Sequence, residues 1–347
     1  MLALAVLLTV AGSAVPAQAA TARAATSQTD TAGVSWSQLM KRKLGLDTAS
    51  AKLTGSLPAL KAAVPARNAD LVKAQMVATS AGVKLTGATA KDVVAKASYA
   101  DARTAAAAAR TALTAARKAK PVSKTKVAAA QKAIDSADAT VKTRDAALRT
   151  AWNGLVAART AQAAAAAQVA TATTAIVAAN QAVADTQQKI AAMPGLITSV
   201  AAQASAIRQD VVDQSRATFT TADTTKVYGI RVNKIVAYPF QRMIDDAAQA
   251  GIKMSGGGFR TREQQIALRT TNGCPDVWTA PASSCRVPTA IPGRSLHELG
   301  LAIDLSCGGK TIPNHASPAY KWLAANASKY GFTNLPSEAW HWSITGS

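Results

Sequence analysis

Residues 155–190 read LVAARTAQAAAAAQVATATTAIVAANQAVADTQQKI. Within this stretch Leu155, Val169, Ile176, Val183 and Ile190 fall on a seven-residue spacing. The series extends back through Leu148, Val141, Ile134 and Val127, and only Gln162 interrupts it. Three residues after these positions stand Ala130, Ala137, Ala151, Ala158, Ala165, Ala172 and Ala179, with Arg144 the exception and Thr186 ending the run. A large apolar residue at one seam position and alanine at the other is a heptad pattern, the signature of helices packed side by side. Alanine has the highest helix propensity, and a small seam residue lets helix axes approach closely. About 70 residues in this pattern, at ~1.5 Å each, predict a rod of roughly 100 Å.

Working outward, Tyr99, Ala106 and Leu113 repeat the spacing in an earlier segment, residues 91–119. Lys120-Pro121-Val122-Ser123 then reads as a helix stop and restart. Pro121 biases Lys120 away from helical geometry, and Ser123 can cap the next helix. These features predict an antiparallel helical hairpin over residues 56–216, with a homo-oligomeric coiled coil as the alternative. Gly82 and Gly87 are expected to break the pattern on one side and Met193-Pro194-Gly195 on the other. Residues 20–55 are expected to be a linker.

The 347 residues carry 39 Lys+Arg against 19 Asp+Glu, a net charge of +20, and only 3 His and 3 Cys. Three cysteines exclude a disulfide-framework protein. The charge is uneven: residues 1–221 hold 26 basic and 11 acidic side chains, residues 222–347 hold 13 and 8. The basic excess therefore sits on the rod. Solvated helix faces account for it, and attraction to anionic cell-envelope polymers or lipid headgroups is the functional alternative. No compact Lys/Arg block interleaved with aromatics occurs, so no nucleic-acid partner is expected. At the start of the chain, the apolar run 2–10 precedes Ala17-Gln18-Ala19. That is a signal-peptide pattern, with cleavage expected after Ala19 and a secreted or cell-wall-associated mature protein.

Residues 222–347 have a globular composition. Val227–Val232 and Ile252–Gly258 read as strands, with a helix from Ala237 to Ala250 between them. Two stretches carry chemistry: Ser295-Leu296-His297-Glu298-Leu299-Gly300-Leu301-Ala302-Ile303-Asp304 and Glu338-Ala339-Trp340-His341-Trp342. His297, Asp304 and His341 supply two imidazoles and a carboxylate, the number and kind of protein ligands that a catalytic zinc uses with one position open. Glu338 is a free carboxylate three residues before His341, suited to moving a proton.

The ordered pattern S-x-H-x-x-G-x-A-x-D then E-x-W-H-W resembles the zinc D-alanyl-D-alanine carboxypeptidase family, which includes VanY- and VanX-type enzymes. Ser255-Gly256-Gly257-Gly258-Phe259-Arg260-Thr261-Arg262-Glu263-Gln264-Gln265 resembles that family's S-G-[YF]-R-[ST]…Q segment, with a slightly different glycine spacing. The resemblance covers roughly residues 224–346. It implies a small α+β domain, an antiparallel sheet with flanking helices. It implies Zn²⁺ held by His297, Asp304 and His341, with Glu338 as general base and then acid. By the same carry-over Arg260 binds the substrate carbonyl, and Gln264 and Ser295 contact the peptide. Trp340 is a candidate pocket wall, with a place in the core as the equal alternative. The implied substrates are D-Ala-containing peptidoglycan stem peptides. Alternatives are an endopeptidase on the same fold and a coiled-coil wall scaffold whose domain only binds wall peptide.

Cys274 and Cys285 bracket a Pro- and Ser-rich step and are expected to pair in an exported protein. Cys307, three residues after Asp304, is a conceivable thiolate ligand but is expected to be a free thiol or to pair differently. His315 matches no motif and is read as a surface residue.

Overall fold

The computed structural model describes residues 31–347, so the expected signal segment 1–19 lies outside the described residues. The chain divides into two compact units, Gly45–Thr198 and a second in which Ser199–Ser347 is joined by the segment ending at Leu44.

The first unit consists of parts of two helices, α1 (Ala32–Lys118) and α2 (Lys124–Ala206). They pack antiparallel: Arg110 bonds Asp138 at 2.7 Å, and the Lys96 ammonium lies 5.5 Å from the centre of the Trp152 ring. The turn falls at the expected Lys120–Ser123, where the Ser123 hydroxyl accepts from the Lys126 amide at 3.3 Å. The heptad reading is borne out by burial. Ile134, Leu155, Ala165 and Ile176 are buried, the other seam residues are half-buried, and Arg144, the exception in the alanine series, is exposed. The complementary seam on α1 includes Ala81, Ala102, Ala106 and Leu113.

The helices run straight through the residues expected to break them. Gly82 and Gly87 lie inside α1, and Pro194-Gly195 lies inside α2. An interior glycine costs only about 1 kcal/mol relative to alanine, and proline about 3. Half-buried Ile190 and Ile197 flank Pro194 and continue the packed face. Tertiary packing, rather than local propensity, therefore sets how far the helix extends.

The expected linker 20–55 also requires correction, because α1 already begins at Ala32. Trp36, Met40 and Leu44 sit four residues apart on one helix face, an apolar stripe that must be covered. They are 0%, 2% and 2% exposed and belong to the core of the second unit. The Trp36 ring fills the space that a side chain at Gly331 would take. Val211 and Val212 of α3 (Arg208–Thr218) join the same core. The C-terminal domain thus draws core residues from well outside the expected 222–347.

The rest of this unit is α+β, as expected. β1 (Thr224–Val227) and β2 (Ile230–Asn233) form a hairpin. The single strand expected over 227–232 is interrupted because Tyr228 and Gly229 turn the chain, both at positive φ (49° and 83°). The amphipathic α4 (Lys234–Gln249) follows, and then β3 (Met254–Gly257) and α5 (Arg262–Thr271). Next come β4 (Ala302–Cys307), β5 (Lys310–Thr311), α6 (Pro318–Asn326), β6 (Thr333–Asn334) and β7 (His341–Ser343). The main sheet is antiparallel in the order β3-β4-β7-β6, with β5 on β4. Its core includes Phe240, Leu301, Ile303, Leu305 and Phe332, each fully buried.

Candidate active site

Strand register assembles the site. On β4, Asp304 lies opposite Gly257 of β3 on one side and His341 of β7 on the other. The third member, His297, comes from a short 3-10 turn, residues 296–299. The Ser295 hydroxyl caps that turn by accepting from the His297 amide at 3.3 Å, and Gly300 closes it at φ 64°. A Cβ at Gly300 would stand 2.6 Å from the Asn233 amide nitrogen, so close backbone approach and left-handed geometry both require glycine there.

The three side chains meet in a small triangle. His341 Nδ1 is 3.0 Å from Asp304 Oδ1, His297 Nε2 is 3.2 Å from the same oxygen, and the two nitrogens are 3.3 Å apart. Ligand atoms at zinc distances in a tetrahedron lie about 3.3 Å apart, so the donor set fits a zinc ion in both chemistry and spacing. Each outward imidazole nitrogen also has a partner. His297 Nδ1 donates to the Gly258 carbonyl at 2.7 Å, and His341 Nε2 donates to the Ser347 carbonyl at 3.2 Å. These bonds fix the tautomers that turn His297 Nε2 and His341 Nδ1 inward, the outer-shell support a metal site uses. Among the described residues this is the group of His, Cys, Asp or Glu side chains close enough to share a metal ion.

The electrostatics fit the same picture. Burial alone would raise the pKa of Asp304, but hydrogen bonds and charge from His297 and His341 hold it far below the usual carboxylate range. Burial works against a charged His341, but the hydrogen bond and charge of Asp304 outweigh it and raise its pKa. A proton and a metal ion therefore compete for the same triangle. Glu338 moves the other way: burial, helped by the charge of Asp304, raises its pKa against the pull of His341. Its carboxylate is 16% exposed and lies 4.0 Å from His341 Nδ1.

These groups open onto a cleft of about 690 Å³ whose walls include Arg260, Ser295, Glu338 and Trp340. Arg260 is clamped, its Nη1 donating to Gln265 Oε1 at 2.8 Å and its Nη2 to Asp304 Oδ2 at 3.3 Å. Gln264, the sequence's candidate for peptide contact, is exposed and turned away. Its side chain closes the N-terminal cap of α5 by accepting from the Thr261 amide at 2.8 Å. Its neighbour Gln265 lines the cleft, 1% exposed, and ties Arg260 to the Ala290 carbonyl. Two adjacent glutamines look alike in sequence, and only the helix phase separates cap from cleft. Cys307 is three residues from Asp304 on one strand, so it faces the opposite side of the sheet and packs against the core as a free thiol. His315 is exposed and stacks on Tyr320.

Residues 229–347 match the family model described as VanY: D-alanyl-D-alanine carboxypeptidase. This C-terminal stretch is a VanY-family domain. It is similar to a D-alanyl-D-alanine carboxypeptidase of Enterococcus faecalis (strain ATCC 700802 / V583), 27% identical over 135 residues, covering 34% of this chain and 50% of the relative. It is also similar to one of Enterococcus faecium, 28% identical over 125 residues, covering 32% and 37%. The chain thus spans half or less of the length of these curated relatives.

A second wall of the VanY domain's cleft is the 274–290 segment, which contributes Ala282, Val287 and Thr289. The expected Cys274–Cys285 disulfide is present in it. Sequence reading missed what supports this wall, the fully buried Arg269. Its guanidinium donates to the carbonyls of Thr289, Asp276 and Ala280. Charge-assisted bonds to buried carbonyls are strong, and unmade ones are costly. Arg269→Leu is expected to lower the domain's unfolding free energy by about 3 kcal/mol. Protease cleavage within 274–290 should accelerate before global unfolding. Unchanged urea unfolding together with unchanged cleavage would refute this role.

Proposed function

We propose that the VanY domain is a zinc-dependent D-alanyl-D-alanine carboxypeptidase, exported and acting on peptidoglycan stem peptides. The observation that carries this reading is the His297–Asp304–His341 triangle opening onto one cleft with Glu338 and Arg260. A zinc ion held by the three would supply Lewis acidity to a water and to the scissile carbonyl. Glu338, with its raised pKa, takes a proton from the attacking water and returns it to the leaving amine of the terminal D-Ala. Arg260, held by Gln265 and Asp304, presents a fixed positive donor to the carbonyl oxygen as charge develops there. Trp340 and the 274–290 segment wall the reacting bond. The Cys274–Cys285 disulfide supports export, since such bonds persist in oxidising compartments. The helical rod serves as a spacer or partner arm that places the domain in the wall.

The test uses the purified chain. With zinc it should release D-Ala from a stem pentapeptide, a chelator should abolish release, and added zinc should restore it. Failure of the purified protein to bind zinc would sink the proposal.

A further inference from the structure

Asparagine is a poor strand former, yet Asn334 occupies the edge strand β6, opposite Trp342 of β7. Its side chain accounts for its place. The Nδ2 group donates to the Glu338 carbonyl and to the His341 carbonyl, each at 2.9 Å. A side-chain amide carries two N–H donors, and here each has its own acceptor. The Oδ1 end accepts from the Tyr320 hydroxyl, on α6, at 3.3 Å. Two carbonyls at one end and a hydroxyl at the other settle which way the amide points. Glu338 and His341 are the two ends of one short turn, the first the proposed base and the second a member of the metal-ligand triangle. Asn334 ties their backbones together.

The turn also has bonds of its own. The Leu335 amide donates to the His341 carbonyl at 3.1 Å, the Glu338 amide to the Leu335 carbonyl at 2.9 Å, and the His341 amide to the Glu338 carbonyl at 3.1 Å. His341 is placed as well by its pairing with Asp304 on β4. The turn therefore outlasts the loss of Asn334, but its Glu338 end is held less firmly. Asn334 lines a smaller pocket beside Tyr320 and Trp342, not the cleft. It reaches the substrate only through the turn.

Resting on the carboxypeptidase reading above, we propose that Asn334 is a positioning residue that holds Glu338 at its working distance from the metal-ligand triangle. The Glu338 carboxylate stands 4.0 Å from His341 Nδ1 and is not one of the converging atoms. Its aim is set by the backbone of the turn rather than by a metal bond. Misplacing a reacting group by about 1 Å is enough to cost roughly a hundredfold in rate.

The experiment uses the zinc-loaded full chain and D-Ala release from a stem pentapeptide. Asn334→Ala removes the clamp. Asn334→Asp keeps its volume but turns an oxygen toward carbonyls that had met donors. Both should lower kcat by roughly tenfold to a hundredfold, with KM and zinc content little changed. In a Glu338→Gln background, Asn334→Ala should slow the residual activity no further, because groups that act as a unit are not additive. Before zinc is added, exchange of the Glu338 and His341 amide hydrogens should quicken about tenfold in Asn334→Ala, with the β4 amides unchanged. Unchanged kcat in both variants, an equal further loss in the Glu338→Gln background, or unchanged amide exchange overturns the role of Asn334 and leaves the carboxypeptidase reading standing. Loss of cooperative unfolding in both variants makes Asn334 a residue of the fold alone and overturns it too. If the unaltered chain releases no D-Ala, the carboxypeptidase reading itself fails and the role of Asn334 with it.

Discussion

Replacing Glu338 by glutamine is expected to slow D-Ala release by roughly 10²–10⁴-fold, the usual worth of a positioned acid–base group. If the proposed function holds, zinc binding should be unaffected. Glutamine keeps the volume and polarity of glutamate but cannot accept a proton from water. The carboxylate is not one of the three converging atoms, standing 4.0 Å from His341 Nδ1. The local backbone is also held independently of the side chain. The Glu338 amide donates to the Leu335 carbonyl at 2.9 Å, and the His341 amide donates to the Glu338 carbonyl at 3.1 Å. The change should therefore remove the proton acceptor without unfolding the turn. Metal content by elemental analysis and turnover with a stem pentapeptide give the two readouts. A variant that keeps more than a tenth of the activity would exclude Glu338 as the base. Loss of zinc together with activity would instead make Glu338 part of the metal site.

Trp36→Ala should destabilise the C-terminal unit by about 3–5 kcal/mol, the range for truncating a large buried aromatic. The side chain is fully buried in a core shared with Phe240, Tyr330 and Phe332, although it lies more than 200 residues before them in the chain. Native-state hydrogen exchange locates the effect. Protection of the β4 and β7 amides should fall by roughly two to three orders of magnitude, while the rod amides of residues 91–119 keep theirs. The isolated fragment 222–347 should fare worse, because it lacks Trp36, Met40, Leu44, Val211 and Val212 together. It is expected to aggregate or to lose fixed tertiary packing. A fragment that unfolds cooperatively with the stability of the full chain would show that the N-terminal stripe is dispensable.

Much of this protein could be read directly from spacing. The seam from Val127 to Ile190 predicts helix packing because a seven-residue period is a local property, and burial follows it closely. Lys120-Pro121-Val122-Ser123 marks the turn for the same reason: proline geometry and serine capping act within a few residues. His297, Asp304, Glu338 and His341 stand out because histidine is scarce and the motifs are ordered.

Other features were visible in sequence but carried no local signal. Trp36, Met40 and Leu44 form a stripe, yet nothing nearby shows what covers it. Gln264 and Gln265 are chemically identical neighbours. Arg269 looks like any helical surface arginine until the 274–290 segment folds over it. Tyr228-Gly229 divides an apolar run that reads equally well as one strand.

By itself, then, the sequence determined the helical rod, the donor types for a metal and the order in which they occur, since each rests on residue chemistry and short-range periodicity. Tertiary structure alone decided which donors converge, which glutamine faces the cleft and where the domain's core ends. Those outcomes depend on strand register, with Asp304 opposite both Gly257 and His341, and on burial between segments far apart in the chain. A one-residue slip in either pairing would turn Asp304 to the other face and dissolve the site without altering a single local motif.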